Sequence, residues 1–256
     1  MKAELLLPLL GLQALLGAGT YFQTVTGFGL GMIVMGATSG LGLAPVATVA
    51  AVVSLVTLAN SACALPGKFQ HIDWRAVGAA AIGILPSVLV GVLVLEYLSS
   101  SAATLLQLLL GAVILYGGLS AAFKPDPLPR RSGDGSFFMS GVFGGLLSGM
   151  FGVSGPPLIF QFYRQPMKPV EIRCALILVF TVTSTVRTLF SAWQGQLDTA
   201  IWLQAAVGVP VVVLATLLGR RFPPPFSPTT TRRVAFGVLI GIGVSLMLPA
   251  LSAWLR

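Results

Sequence analysis

Two glycine-rich breaks in long apolar runs decide the fold of this chain. The first reads QTVTGFGLG at residues 23–31, and the second reads SGMFGVSGPP at residues 148–157. Glycine permits the sharp turns and close backbone contacts that interrupt a helix. The prolines of the second break suit the first turn of a new helix, where the missing N–H is not needed. Each run is therefore predicted to form two helices joined by an irregular turn.

The composition around these breaks is that of a membrane protein. The chain has 256 residues, of which 55% are apolar and only 9% charged, whereas soluble domains carry about 25% charged residues. A net charge of +8 would suggest nucleic acid in a soluble protein, but here it indicates membrane orientation, because Lys and Arg are retained on the cytoplasmic side. We expect a multi-pass membrane protein, surrounded by the lipid bilayer, and no nucleic-acid binding.

Long apolar runs divide the chain into eight segments, of which the first and fifth contain the breaks. They lie near residues 5–42, 45–65, 75–95, 102–122, 136–163, 172–193, 199–219 and 231–251. About 20 residues cross the hydrocarbon core, and a helix satisfies its own backbone hydrogen bonds in lipid. The predicted fold class is therefore all-α and polytopic.

The chain also contains an internal duplication. Residues 27–29 resemble residues 150–152, and residues 111–114 resemble residues 237–240, at offsets of 123 and 126. Three further matches lie between them in the same order. The sequence therefore predicts a first membrane repeat at 1–123, a cytoplasmic linker at 124–135 and a second membrane repeat at 136–256.

The distribution of basic residues predicts how the two repeats are oriented. Twelve of the fifteen Lys and Arg residues lie in four loops, namely Lys68, Arg75, Lys124, Arg130, Arg131, Arg164, Lys168, Arg173, Arg220, Arg221, Arg232 and Arg233. Eight plain crossings would put two of these loops on the side opposite the central linker. All four become cytoplasmic, as the positive-inside rule requires, if each broken segment re-enters the membrane as a hairpin and three crossings follow. We therefore predict inverted repeats, with eight plain transmembrane helices as the alternative.

The two breaks are the predicted substrate site. Half-helix N-termini direct unpaired N–H groups and positive dipole ends at the cavity they line, which favours an anion. Polar and glycine residues cluster at both breaks. The candidate binding residues there are Gln23, Thr26, Gly27, Phe28, Gly29, Ser154 and Gly155. Other glycines, such as Gly141, Gly145 and Gly149, have the spacing that permits close helix packing.

The sixth segment adds a charged candidate. Arg187 is the one charge well inside a predicted crossing, about 6 Å from its centre at a rise of 1.5 Å per residue. Thr183 and Ser184 lie four and three positions earlier, and therefore on the same helix face. No carboxylate lies inside a predicted crossing to neutralise Arg187, so an anionic substrate could do so; snorkelling to the interface is the alternative. Asn60 of the second segment is a further candidate ligand, with interhelical hydrogen bonding as its alternative role.

An enzyme is not expected. Residues 152–155 match the GxSG of intramembrane serine proteases, but that chemistry needs a base within hydrogen-bond reach of the serine. The one histidine, His71, lies in a predicted loop, and the chain has no GxxxxGK[ST] nucleotide-binding motif. We therefore expect no cofactor and no direct use of ATP.

The whole chain resembles the TauE/SafE family of sulfite and sulfonate exporters and permeases. The resemblance rests on the glycine-rich break at 27–31, the matching stretch at 149–157, the proline-led helices at Pro45 and Pro169, and the two-half layout with a charged linker. It implies transport of small sulfur-containing or carboxylate anions across the inner membrane.

Together these features predict a secondary transporter that moves a small anion by alternating access. The expected substrates are sulfite, an organosulfonate or a related sulfur oxyanion or carboxylate. An anion channel or a non-transporting membrane partner is the alternative. The sequence is compatible with either a proton or sodium as the coupling ion, and with a homo-oligomer.

Overall fold

The computed structural model describes residues 2–101, 103–122, 128–222, 237 and 239–248. These residues are all helical or irregular and contain no strand, which confirms the all-α class for the described part of the chain. Its helices are α1 (Lys2–Thr26), α2 (Leu30–Gly40), α3 (Val46–Ala64), α4 (Trp74–Ser101), α5 (Ala103–Ala122), α6 (Asp134–Phe151), α7 (Gly155–Tyr163), α8 (Pro169–Trp193), α9 (Thr199–Arg221) and α10 (Leu239–Leu248), and a short 3-10 turn covers Phe69–His71.

Both predicted interruptions are present in the structure. Helix α1 ends and α2 begins around residues 27–29, and α6 ends and α7 begins around residues 152–154. Gly27, Gly29 and Gly152 have φ angles of 91°, 119° and 65°, a region that side chains with a Cβ rarely occupy. The chain therefore needs glycine at these turns.

Within the described part of the chain, four helices are long and apolar enough to cross a membrane. They are α3, α8 and α9, with 19, 25 and 23 residues, and the first 26 residues of α4. The apolar part of α5 described here, Thr104–Leu119, is shorter, and so is α10. The predicted crossings at 102–122 and 231–251 therefore stay predictions, and residues 231–236 and 249–251 lie outside the described residues, as do linker residues 124–127. At 11 and 9 residues, α2 and α7 are too short to cross a core about 30 Å thick.

Small residues bring the helices together. Helix α6 packs along α4, and a Cβ added at Gly141, Gly145 or Gly149 would press on α4 atoms within 3 Å. This confirms the packing role predicted for these three glycines. In the other half, α1 packs along α9, where a Cβ at Gly17 would lie 3.2 Å from Val211 and one at Gly219 would lie 3.1 Å from Thr24.

The ends of the helix bundle differ in charge. At one end, here called the basic end, Lys68, Arg173 and Arg220 border one cavity. Glu96 and Asp198 border a cavity at the opposite end, here called the acidic end. Helices α3 and α9 connect the two ends, because α3 begins beside the acidic-end cavity and the carbonyl of its Cys63 accepts a hydrogen bond from Arg220.

Salt bridges join α4 to α6 at the basic end. Arg131 Nε lies 2.9 Å from Asp73 Oδ2, Arg131 Nη1 lies 3.0 Å from Asp134 Oδ1, and Arg75 Nε lies 2.7 Å from Asp134 Oδ2. Burial by itself would raise the pKa of Asp73, but hydrogen bonds from the Ala76 N–H and from Arg131 outweigh it and lower the pKa. Ionised Asp73 therefore stabilises the junction between the starts of α4 and α6.

Candidate functional site

A small buried cavity lies between the two breaks. Its volume is about 20 Å³, and the N-terminal turns of α2 and α7 line it together with α3 and α8. Its polar side chains are Gln23, Thr57, Ser154, Thr183 and Ser184. All five are less than a tenth exposed. A space of this size holds about one water molecule, so a larger anion enters only if the lining helices separate.

Two helix N-termini meet at this central cavity without side-chain caps. Gly29 precedes α2 and has no side chain to cap it, and the Ser154 hydroxyl does not bond to the first turn of α7. The two tips are in contact, since a Cβ added at Gly31 would lie 2.8 Å from the carbonyl oxygen of Gly152. The partial positive charge of both helix N-termini is therefore directed into one polar space, which favours an anion.

Ser154 and Thr183 bring hydroxyl groups from different helices together. Their oxygens lie 3.4 Å apart, and Thr183 also donates to the carbonyl of Phe180 at 2.9 Å. Because the Thr183 proton has that partner, its oxygen can accept from Ser154. The Ser154 hydroxyl can instead turn and donate to an anion in the cavity. Ser184 and Gly155 line the same space.

Asn60 lies behind the cavity and is not among its lining residues. Its Oδ1 accepts from Gln23 Nε2 at 3.0 Å, and its Nδ2 donates to Thr216 at 2.8 Å and to Thr24 at 3.3 Å. Asn60 is fully buried and joins α1, α3 and α9. Asn60 therefore has the interhelical role that was the predicted alternative to anion binding. Its hydrogen bond also holds Gln23 in place at the cavity.

Thr26, Gly27 and Phe28 form the outside of the first turn and do not line the cavity. The carbonyl of Thr26 accepts a hydrogen bond from the Tyr163 hydroxyl at 2.8 Å. The Phe28 ring meets the Tyr163 ring edge-on, with centroids 6.0 Å apart. A Cβ at Gly27 would lie 3.1 Å from the Arg173 side chain. These predicted binding residues therefore join the α1–α2 turn to the ends of other helices.

Arg187 lies one turn beyond the central cavity, on the acidic-end side. Its side chain is 2% exposed, and its Nε donates to the Gly149 carbonyl at 3.2 Å. That carbonyl lies in the last turn of α6, where carbonyls lack partners within the helix. Arg187 therefore places a cation at a helix C-terminus, which is a favourable position. Its Nη1 has no hydrogen-bond partner among the described residues.

A larger cavity, of about 480 Å³, adjoins Arg187 at the acidic end. Glu96, Gln196 and Asp198 also border it, and Gln196 Nε2 lies 3.4 Å from a Glu96 carboxylate oxygen. Helices α3 and α8 therefore line both the central and the acidic-end cavity, but Arg187 borders only the acidic-end cavity.

Sequence reasoning missed several residues of the central cavity. Thr57, Gly31, Met32 and Phe180 line it but were not among the candidates. Thr57 had a signal, because it lies one turn before Asn60 among the few polar residues of its segment. Met32 and Phe180 had none, since apolar residues fill every helix here. No group of three His, Cys, Asp or Glu residues that could hold a metal occurs in the described ranges.

The chain is similar in sequence to known membrane transporters. Residues 12–246 match the family model described as sulfite exporter TauE/SafE. A Cupriavidus necator protein named probable sulfite/organosulfonate exporter TauE is 92% identical over 254 residues, which cover 99% of each chain. A Comamonas testosteroni protein named probable inner membrane transporter protein TsaS is 28% identical over 184 residues, which cover 70% of this chain and 74% of that protein. No solved structure matches the chain.

The match covers nearly all of the chain, including both breaks and every residue of the central cavity. The predicted resemblance is therefore confirmed, and with it the expectation of a transporter instead of an enzyme. The chain belongs to the TauE/SafE sulfite exporter family of membrane transporters.

Proposed function

We propose that this chain carries a small sulfur oxyanion, sulfite or an organosulfonate, out of the cytoplasm across the inner membrane by alternating access. The observation that carries the proposal is the meeting of two uncapped helix N-termini in one buried polar cavity. Backbone N–H groups at such termini bind oxyanions. The name of the first relative, a probable sulfite/organosulfonate exporter, supports the substrate class and the direction. The name of the second, a probable inner membrane transporter protein, supports transport at the inner membrane.

In this proposal the anion occupies the central cavity and takes hydrogen bonds from both repeats. The first turn of α2 and the amide of Gln23 approach from one side, and Ser154, Thr183 and Ser184 approach from the other. Arg187 borders only the acidic-end cavity, so its unpaired Nη1 would meet the anion as the anion leaves the central cavity toward the acidic end. The cavity lining includes no Asp or Glu among the described residues, so a proton could travel on the substrate itself, while sodium would need backbone carbonyls as ligands.

We also propose that the two repeats are inverted and that each broken segment is a re-entrant hairpin. Ser132, just before α6, lies 3.0 Å from Gln165, just after α7, which supports a hairpin that starts and finishes at the basic end. A Cβ at Gly11 of α1 would lie 3.4 Å from Leu43, just after α2, which supports a second hairpin inserted from the acidic end. The basic end would face the cytoplasm, as the positive-inside rule requires.

Reciprocal packing supports the duplication. Helix α1 packs on α9 as α6 packs on α4, and α3 packs on α9 as α8 packs on α4. Pro86 and Pro210 lie inside α4 and α9 at equivalent positions, 124 residues apart. Two such units rocking around one central site would open the acidic-end and basic-end cavities in turn.

Thermal melting of the purified protein tests the substrate. Sulfite, sulfate, thiosulfate, taurine, sulfoacetate and small carboxylates are screened separately, and a true substrate raises the melting temperature, because a ligand at 100 times its Kd adds about 2.7 kcal/mol of stability. No shift with any sulfur oxyanion would refute the substrate class. Saturable uptake into proteoliposomes that is accelerated by unlabelled anion on the opposite side supports a carrier, and linear flux would point to the channel alternative.

Cysteine accessibility tests the orientation. In a chain without Cys63 and Cys174, Asp198→Cys should react with a membrane-impermeant thiol reagent added outside intact cells, and Arg220→Cys should react only after permeabilisation. The opposite pattern would overturn the inverted arrangement.

A further inference from the structure

A third cavity at the basic end is lined by three cations. Its volume is about 370 Å³, and Lys68, Arg173 and Arg220 line it together with Thr24, Val25 and Gly219. No Asp or Glu is among these lining residues. By contrast, the neighbouring Arg75 and Arg131 are paired with carboxylates. The cavity thus brings together three positive charges that form no ion pair with any described residue.

The surroundings of Lys68 and Arg173 indicate a missing counter-charge. Burial, reinforced by the like charges of Arg220 and Arg173, lowers the pKa of Lys68. The Nε of Arg173 is buried and has no hydrogen-bond partner among the described residues. Arg220 uses its Nη1 to hold the Cys63 carbonyl at the end of α3. Three like charges this close are unfavourable unless an anion joins them.

The cavity also lies beside the route to the central site. Thr24 lines it, and the preceding residue, Gln23, lines the central cavity. Arg173 packs on the Gly27 turn that begins the first break. This turn therefore lies between the basic-end and central cavities, and it would have to move with the lining helices to let an anion pass.

We propose that the basic-end cavity is a second oxyanion site, which concentrates the substrate from the cytoplasm and holds it before it passes to the centre. Its ligands would be the ammonium of Lys68 and the guanidinium groups of Arg173 and Arg220. That the anion is a sulfur oxyanion rests on the proposed function. The existence of the site rests only on the charge and shape of the cavity.

Thiol chemistry at a lining position tests the site without requiring transport. Val25→Cys is introduced into a chain carrying Cys63→Ala and Cys174→Ala, and Leu41→Cys, at an exposed position, serves as the reference. Each protein reacts with anionic methanethiosulfonate ethylsulfonate and with its cationic trimethylammonium analogue. Relative to the reference, Val25→Cys should prefer the anionic reagent by about tenfold or more, the effect of a cleft lined by one sign of charge.

Charge variants identify the residues responsible. Lys68→Gln should reduce this preference several-fold, and Lys68→Arg should retain it. Arg221→Gln is the matched control, because Arg221 is exposed, adjacent to Arg220 and absent from the cavity lining. Sulfate should slow the anionic reagent more than sodium chloride does at equal ionic strength. The proposal would be overturned if Val25→Cys and Leu41→Cys had the same preference between the anionic and cationic reagents. It would also be overturned if sulfate protected Val25→Cys no more than chloride does.

Nanodiscs separate a free anion from a lipid headgroup, which has the same oxyanion chemistry. Protection by sulfate in neutral-lipid discs supports the substrate site. Protection by anionic lipid alone would assign the cavity to a headgroup and overturn its role in transport. Ser154→Ala should weaken binding at the central cavity without changing the reagent preference at Val25→Cys. The central and basic-end sites can therefore fail independently.

Discussion

Replacing Ser154 by Ala removes one hydroxyl from the central cavity with little change to the fold. The Ser154 side chain makes no capping bond to α7, and its one contact with a hydroxyl, Thr183, is 3.4 Å long. Folding therefore loses at most one weak hydrogen bond. In the proposed complex the same hydroxyl donates to a charged oxyanion, an interaction that contributes about 1.5–3 kcal/mol. At about 1.4 kcal/mol per factor of ten, the Kd should rise about 10-fold to 100-fold.

The assay measures binding and transport on the same preparation. Purified protein is titrated with the sulfur oxyanion that gives the largest thermal shift, and the dose dependence of the shift yields the Kd. Uptake of the labelled anion into proteoliposomes then yields KM and kcat. Ser154→Ala should shift the titration to higher anion concentration, while the melting temperature without anion should change by only a few degrees.

Ser54→Ala is the matched control for this change. Ser54 is also buried, but its hydroxyl donates to the Ala50 carbonyl at 2.9 Å, and it does not line the central cavity. Its Kd should equal that of the unaltered chain. If Ser154→Ala binds the anion within twofold of the unaltered chain, the anion does not accept a hydrogen bond from the Ser154 hydroxyl.

Four further changes have defined outcomes. Gly31→Ala would place a Cβ 2.8 Å from the carbonyl of the opposing tip, so it should lower the melting temperature and abolish uptake, whereas Gly78→Ala, whose Cβ would meet no atom within 4 Å, should do neither. Asn60→Leu removes the acceptor of Gln23 Nε2 and the donor to Thr24 and Thr216, whose hydroxyls keep their bonds to backbone carbonyls, and thermal unfolding should show a loss of about 1–3 kcal/mol. Arg187→Leu removes the donor to the end of α6 and should lower both the melting temperature and the anion affinity. Ionised Asp73 stabilises the fold above the ordinary carboxyl pKa of 3.8, and this contribution is lost as pH falls through the lowered pKa of the folded state. Asp73→Asn lacks this contribution. Its melting temperature should therefore fall less than that of the unaltered chain when the pH is lowered below about 4.

Each of these outcomes can fail in a distinct way. Normal uptake by Gly31→Ala would mean that the two tips do not need to touch. An unchanged melting temperature for Asn60→Leu would mean that the hydrogen bonds of Asn60 do not stabilise the fold. A lower melting temperature with unchanged anion affinity for Arg187→Leu would leave that residue a purely structural role, and an unaltered acid profile for Asp73→Asn would contradict the ion pairing at the start of α4.

The sequence predicted the interruptions because they follow from local backbone chemistry. Only glycine tolerates the φ angles found at Gly27, Gly29 and Gly152, and proline suits the first turn of α7. The meeting of the two breaks could also be inferred, since irregular backbone at membrane depth is tolerated only where it is buried or lines a cavity. Gly29, Ser154 and their neighbours were therefore found without a structure.

Two candidates show the limit of this reasoning. Asn60 and Arg187 were selected because a buried polar group in lipid must have a partner, and both do have partners. The partner of Arg187 is the Gly149 carbonyl at the end of a helix, and those of Asn60 are hydroxyl and amide groups on α1 and α9. A carbonyl left unpaired at a helix end cannot be recognised from the amino-acid sequence. An anion was therefore the predicted partner of Arg187.

The sequence by itself determined the all-α class, the positions of the two breaks and the collection of basic residues in a few loops. Only the tertiary structure decided which polar side chains face the central cavity and which pair between helices. That choice depends on the rotation of each helix about its axis. In a soluble helix an apolar stripe reveals this rotation, but lipid is as apolar as the protein interior. The faces of these helices are therefore similar in sequence, and only their packing distinguishes Thr57 at the cavity from Asn60 behind it.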